Sequence, residues 1–207
     1  SVADLVLSFL LALSRNLLEV SQECKRGNWG KAKLSQELFE KTVGIIGLGR
    51  VGKAVARRLQ GFSCNILAYD PYVQEGPEYV KFVDLDTLLK EADFVTCHAS
   101  LNKDNHKFLG KREFSLMKES AFFINTARGE LVEEDALAEA LRLGKIKGAA
   151  LDVFYHEPLI NSPLLELPNV IVTPHVASHT VEANTRLGKI AAENLVRVLE
   201  GKEPLFE

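Results

Sequence analysis

A chain of 207 residues, 46% hydrophobic and 26% charged, has the composition of an ordinary soluble globular protein and enough apolar surface for a sizeable core. Its formal net charge of −3 argues against nucleic acid as the main partner, because phosphate binding calls for a basic stripe. Cys24, Cys64 and Cys97 follow no metal-ligand spacing and their number is odd, so reduced thiols, a cytoplasmic setting and no metal are expected.

The first feature along the chain is an apolar run over residues 2–13. It is too short to span a membrane, it carries Asp4, and Arg15 follows it rather than precedes it. No membrane segment is therefore expected. Ser1 and Asp4 have the pattern of a helix capping box. Over residues 1–20 the polar positions reduce to a narrow stripe of Asp4, Ser8, Arg15 and Glu19, so this helix requires cover on most sides. The expected cover is a second subunit, giving a homodimer, or a part of the protein absent from the chain. The lack of an initiator Met points to a fragment.

Residues 22–36 read as a polar linker. After them short apolar runs alternate with segments of helical period, the signature of βαβ units. The runs are 43–46, 66–69, 94–97, 121–124, 148–151 and 170–172. They are continuous rather than alternating, as strands buried on both faces must be. The clearest helices cover 51–60 and 133–143, stopped by Gly61 and Gly144, and a last amphipathic helix covers 181–201. With no repeat and no long linker, residues 1–207 are expected to form one α/β domain built on a doubly wound parallel sheet.

The first strand runs directly into Gly47-Leu48-Gly49-Arg50-Val51-Gly52 and then into a helix. GxGxxG alone is common, but strand before and helix after is the context that a dinucleotide fingerprint requires. Gly47 permits the tight turn, Gly49 the approach of a pyrophosphate, and Gly52 close helix–strand packing. Arg50 and Val51 open a helix whose free N–H groups face the phosphates, and Arg50 adds charge. Asp70 follows Gly52 by 18 positions at the end of the second strand, where a carboxylate accepts from ribose hydroxyls and repels a 2′-phosphate. The expected cofactor is NAD.

Ligands of open α/β sheets lie beyond the carboxyl ends of the strands. Those ends carry Gly47, Asp70, His98, residues 125–128, Asp152 and His175. Arg128 can hold a carboxylate bidentately and polarise a neighbouring carbonyl. His175 with Glu157 can shuttle a proton, since a carboxylate stabilises the protonated ring.

On Gly44-Ile45-Ile46-Gly47-Leu48-Gly49-Arg50-Val51-Gly52, Ile124-Asn125-Thr126-Ala127-Arg128-Gly129, Leu151-Asp152-Val153-Phe154 with Glu157-Pro158, and Thr173-Pro174-His175, the chain resembles the NAD-binding domain of the D-isomer-specific 2-hydroxyacid dehydrogenases. The resemblance extends from the Ser1 helix to Pro204 and implies a Rossmann-like fold. It also implies hydride transfer between NAD(H) and a small 2-hydroxy or 2-keto acid, with 3-phosphoglycerate, hydroxypyruvate and glyoxylate as the favoured substrates. Arg128 would hold the substrate, His175 would be the general acid or base, and Glu157 would orient it. Asp152 would lie at the nicotinamide, and Thr126, Ala127, Arg128 and the stretch from His175 to Ser178 would line the cofactor.

Two departures stand out. Ser100 replaces the family's usual proline and is expected to loosen a cofactor-contacting turn, and the family's substrate lobe has no counterpart before Ser1. A dinucleotide sensor resembling the family's corepressor relatives is a competing reading. Phosphite- or formate-type dehydrogenases are another, although the formate enzymes usually carry Gln where Glu157 stands. Asp70→Ala is expected to narrow the preference for NAD over NADP sharply, measured as the ratio of the two dissociation constants. Equal use of both cofactors by the unaltered protein contradicts the assignment.

Overall fold

Central parallel strands are covered on both faces, so most of their residues are apolar or small, and it is this requirement that turns the short runs into sheet. A computed structural model describes residues 1–30 and 34–205. It contains β1 (Thr42–Ile46), β2 (Asn65–Tyr69), β3 (Val80–Phe82), β4 (Phe94–Cys97), β5 (Phe122–Asn125), β6 (Gly148–Leu151) and β7 (Val170–Val172). All pairings are parallel, in the order β3-β2-β1-β4-β5-β6-β7. The order reverses between β1 and β4, and at such a switch point the connections diverge and leave a crevice.

The helices are α1 (Val2–Ser14), α2 (Leu17–Lys25), α3 (Arg50–Leu59), α4 (Leu85–Glu91), α5 (Lys111–Leu116), α6 (Glu134–Arg142) and α7 (Val181–Leu199). Alternate strand residues feed two cores. Val43, Ile45, Phe94, Phe122 and Ile124 pack with α1 and α3 on one face. Ile46, Val95, Cys97 and Phe123 pack with α4, α5 and α6 on the other.

Several expectations change here. The cover for the first helix comes from its own domain: Val6 and Leu10 are fully buried, and Ala3, Leu7, Phe9 and Leu13 nearly so, within the core that α1 shares with α3 and the sheet. A nearly all-apolar helix needs cover, but the pattern cannot say whose. The apolar segment is also two helices rather than one, broken where Asn16 takes a left-handed conformation at φ 49°. The capping box does not form. The Ser1 side chain makes no cap bond, and Asp4 instead accepts from Arg58 Nε at 2.7 Å on α3. The expected linker starts as helix, since α2 runs to Lys25, and residues 31–33 of it lie outside the described residues.

The strand expected at 121–124 is shifted by one, and the last helix ends at Leu199 rather than 201. Three elements had no clear sequence signal: the three-residue edge strand β3, and α4 and α5, which are too short to show a helical period. Over its 19 residues α7 has no buried side chain, and Leu187, Leu195 and Val198 are each more than half exposed. Among the described residues no helix is long and apolar enough to cross a membrane. If α1 is core, Leu10→Ala costs about 2–5 kcal/mol of unfolding free energy in urea titrations. An interface helix would leave the stability of the isolated chain nearly unchanged.

Candidate active site

At the end of β1 the chain turns through Gly47 at φ 92°, and an added Cβ there would lie 2.6 Å from the Ala99 backbone nitrogen. A Cβ on Gly52 would come within 2.2 Å of the Gly47 carbonyl oxygen, so the turn and the first helical turn are in direct backbone contact. Gly49 is different. Its φ is −73° and nothing lies within 4 Å of an added Cβ, so the space over the turn is open. Gly49 caps α3 without a side-chain hydrogen bond, which leaves the N–H groups of the first turn, including Arg50 and Val51, free for an anion. This cradle fits a pyrophosphate.

Asp70 stands beside the turn and also braces it. Its Oδ2 accepts from Leu48 N at 2.8 Å, and its Oδ1 from Tyr72 N at 2.9 Å and Val73 N at 3.1 Å. A carboxylate offers about four lone-pair directions, so Oδ2 keeps one for a ribose hydroxyl.

Two buried polar atoms along the same edge have no partner among the described residues, His98 Nδ1 and Thr126 Oγ1. An unsatisfied buried polar group costs about 1–3 kcal/mol, so two on neighbouring strand ends fit a bound polar ligand. Burial pushes His98 down to about 4, keeping the ring neutral, and its Nε2 lies 2.9 Å from Thr96 Oγ1. The preceding residue, Cys97, is fully buried and pushed up to about 12. The turn after it is not loose at Ser100. Asn105 braces it, donating to the Ser100 carbonyl at 2.8 Å and accepting from Asn102 N at 2.8 Å.

The second half of the edge carries the reactive groups. Asn125 shapes the turn after β5, accepting from Ala127 N at 3.0 Å and donating to the Arg128 carbonyl at 2.9 Å. That turn presents Arg128 exposed, with its guanidinium donating to the Ala127 carbonyl at 2.7 Å. After β6, Glu157 Oε1 accepts from Phe154 N at 3.0 Å, and its Oε2 lies 2.7 Å from His175 Nδ1. Partial burial would raise the Glu157 carboxyl. The His175 hydrogen bond, the Phe154 N–H and the charges of His175 and Arg128 outweigh it, so the net shift is downward. A cavity of about 560 Å³ adjoins the pair, lined by Phe154, Glu157, Pro158, Leu159, Val172 and His175.

Asp152, expected at the nicotinamide, is fully buried in the protein alone. Its carboxylate accepts from Thr173, Val176 and Ala177 behind the His175 turn. Ser178 is exposed on the turn leading to α7. Sequence reasoning did not single out Thr173, or Asn125 as the residue that shapes the Arg128 turn. Among the described residues no three His, Cys, Asp or Glu side chains are grouped to hold a metal ion.

Comparison with known proteins accords with this geometry. A family model described as "D-isomer specific 2-hydroxyacid dehydrogenase, NAD binding domain" matches residues 7–177. The chain is 44% identical over 209 residues to a D-3-phosphoglycerate dehydrogenase of Methanocaldococcus jannaschii, covering 98% of this chain and 40% of that protein. It is 42% identical over 214 residues to a glyoxylate reductase of Thermofilum pendens, covering 99% of this chain and 63% of that one. It therefore spans less than two thirds of the length of these relatives. Among solved structures, D-lactate dehydrogenase with NAD+ from Lactobacillus jensenii superposes with a TM-score of 0.89 at 33% identity, covering 99% of this chain and 67% of that one.

The Glu157 titration tests the pair. Followed by carboxyl ¹³C NMR, it is expected below the ordinary carboxylate range and to move to higher pH in His175→Gln, which removes its strongest lowering partner. The sign for stability follows from linkage. Ionised Glu157 stabilises the fold above the ordinary carboxylate range, and this contribution fades as pH falls through the lowered value.

Proposed function

Because the chain belongs to the D-isomer-specific 2-hydroxyacid dehydrogenase family, as its NAD-binding domain, we propose that the protein serves hydride transfer between NAD(H) and a small D-2-hydroxy acid or its 2-keto acid. The observation that carries this reading is the 2.7 Å pairing of His175 Nδ1 with Glu157 Oε2. With Nδ1 engaged, Nε2 is the ring nitrogen left to meet a substrate oxygen.

The bound nicotinamide supplies the hydride chemistry; position and the proton come from the protein. Arg128 binds the substrate carboxylate with its fork of donors and draws electron density from the adjacent carbonyl. His175 Nε2 gives its proton to the carbonyl oxygen in reduction and takes it from the hydroxyl in oxidation. Glu157 fixes the ring through its hydrogen bond to Nδ1, leaving Nε2 toward the substrate. The Gly49 cradle and the first turn of α3 hold the pyrophosphate. Asp70 accepts from the ribose and disfavours a 2′-phosphate, which selects NAD over NADP.

Of the substrates the sequence favours, 3-phosphoglycerate, hydroxypyruvate and glyoxylate, the relatives named for D-3-phosphoglycerate and glyoxylate support the first and the last. A keto acid over the strand ends needs cover against water. We assign that cover to the further length the relatives possess, and the working enzyme to a cytoplasmic homodimer. The 207-residue chain is then expected to bind NADH, read by fluorescence, and to reduce keto acids slowly. In the protein carried at its relatives' length, His175→Ala should lower kcat for glyoxylate or hydroxypyruvate by about 10²–10⁴-fold while NADH still binds. Turnover undiminished in that variant rules out the proton role.

A further inference from the structure

His175 is held in an unusual way. Its φ is 54°, a left-handed conformation that a side chain with a Cβ disfavours, and its N–H donates to the Thr173 carbonyl two residues back at 3.0 Å. About half of its side chain is exposed, so packing does not fix the ring. The polar contacts of residues 173, 176 and 177 converge instead on one carboxylate. Asp152 Oδ1 accepts from the Thr173 hydroxyl at 2.5 Å and from Val176 N at 2.8 Å, and Oδ2 accepts from Ala177 N at 2.8 Å. Asp152 N donates in turn to the Asn125 carbonyl at 3.0 Å, and Thr173 N to the Leu151 carbonyl at 3.0 Å.

We propose that Asp152 and Thr173 are positioning residues, a buried clamp that grips the chain on both sides of residue 175 and so sets the His175–Glu157 pair. The proposal rests on the proton role assigned to His175. The geometry is selective: the clamp takes the chain before the histidine by a side chain and the chain after it by two amides. The two residues between those grips are Pro174, which has no N–H, and His175, whose N–H closes the local turn on Thr173. A carboxylate with no exposed surface and only neutral donors is costly to bury. Its three hydrogen bonds within the protein all go to one five-residue turn, which offsets that cost at the His175 turn. Thr173 is the variable half. It ends the β7 ladder, and its hydroxyl is the clamp's only side-chain donor.

The test uses the 207-residue chain and needs no turnover, so its outcome stands apart from the assay of the proton role. Thr173→Val keeps the branched shape and removes the hydroxyl, whereas Thr173→Ser keeps the hydroxyl. The readout is the Glu157 titration by carboxyl ¹³C NMR, with His175→Gln marking the value without its partner. Thr173→Val is expected to move Glu157 upward by at least half of the His175→Gln displacement, and Thr173→Ser to leave it in place. A Thr173→Val curve that superposes on the parent, or a Thr173→Ser curve that moves as far as Val, overturns the proposal. If Thr173→Val does not fold, amide exchange in the parent decides. Val176 and Ala177 should exchange about 10²-fold or more slowly than unstructured amides, and free exchange at both positions overturns the clamp.

Discussion

The whole site depends on the register of one parallel sheet. Ile46 pairs with Tyr69 on one side and Cys97 on the other, Cys97 with Asn125, Asn125 with Leu151, and Leu151 with Val172. Each of these is the last residue of its strand. The hydrogen-bonded ladders therefore stop together, and the next residue of each strand, Gly47, Asp70, His98, Thr126, Asp152 and Thr173, falls on a common edge. No side chain need select another. A slip of one residue in any ladder would offset its functional group by one strand rise, about 3.3 Å, and send it to the opposite face.

Along that edge the labour divides between β4 and β5, one strand beyond the switch point. The ends of β1, β2 and β4 supply an open backbone cradle, a carboxylate and a neutral imidazole, groups suited to a dinucleotide. The ends of β5, β6 and β7 supply a guanidinium, a carboxylate and a second imidazole within electrostatic reach of one another. In both halves a buried or half-buried acid shapes the backbone around the functional group: Asp70 for the glycine turn and Asp152 for the histidine turn. The two acids that look alike in sequence thus also serve as scaffolding, because a short side chain with several acceptor directions can gather backbone amides that the end of a sheet leaves unpaired.

Much of this was legible in the residues, for a physical reason. Strands covered on both faces must be continuous apolar runs, and six of the seven were found that way to within a residue. β3 escaped because an edge strand of three residues with Lys81 exposed has no such run. The first helix was read correctly as needing cover, and its own domain buries Val6, Phe9 and Leu10; hydrophobicity records burial but not by what. Strand-end residues were legible because the sheet fixes where they go. The roles of Thr173 and Asn125 were not, because Thr173 acts through a hydroxyl bond to the buried Asp152 carboxylate and Asn125 by holding the backbone of its own turn, and neither kind of contact leaves a pattern of residue types.

One feature of the edge concerns chemical durability. Cys97 closes β4 directly before a residue of the dinucleotide half, yet it is fully buried and its thiol is pushed up to about 12. At neutral pH the thiol form therefore dominates, and the thiolate is the form that peroxide and alkylating reagents attack. A sulfur at the end of a central strand is in this way withdrawn from thiolate chemistry by its burial.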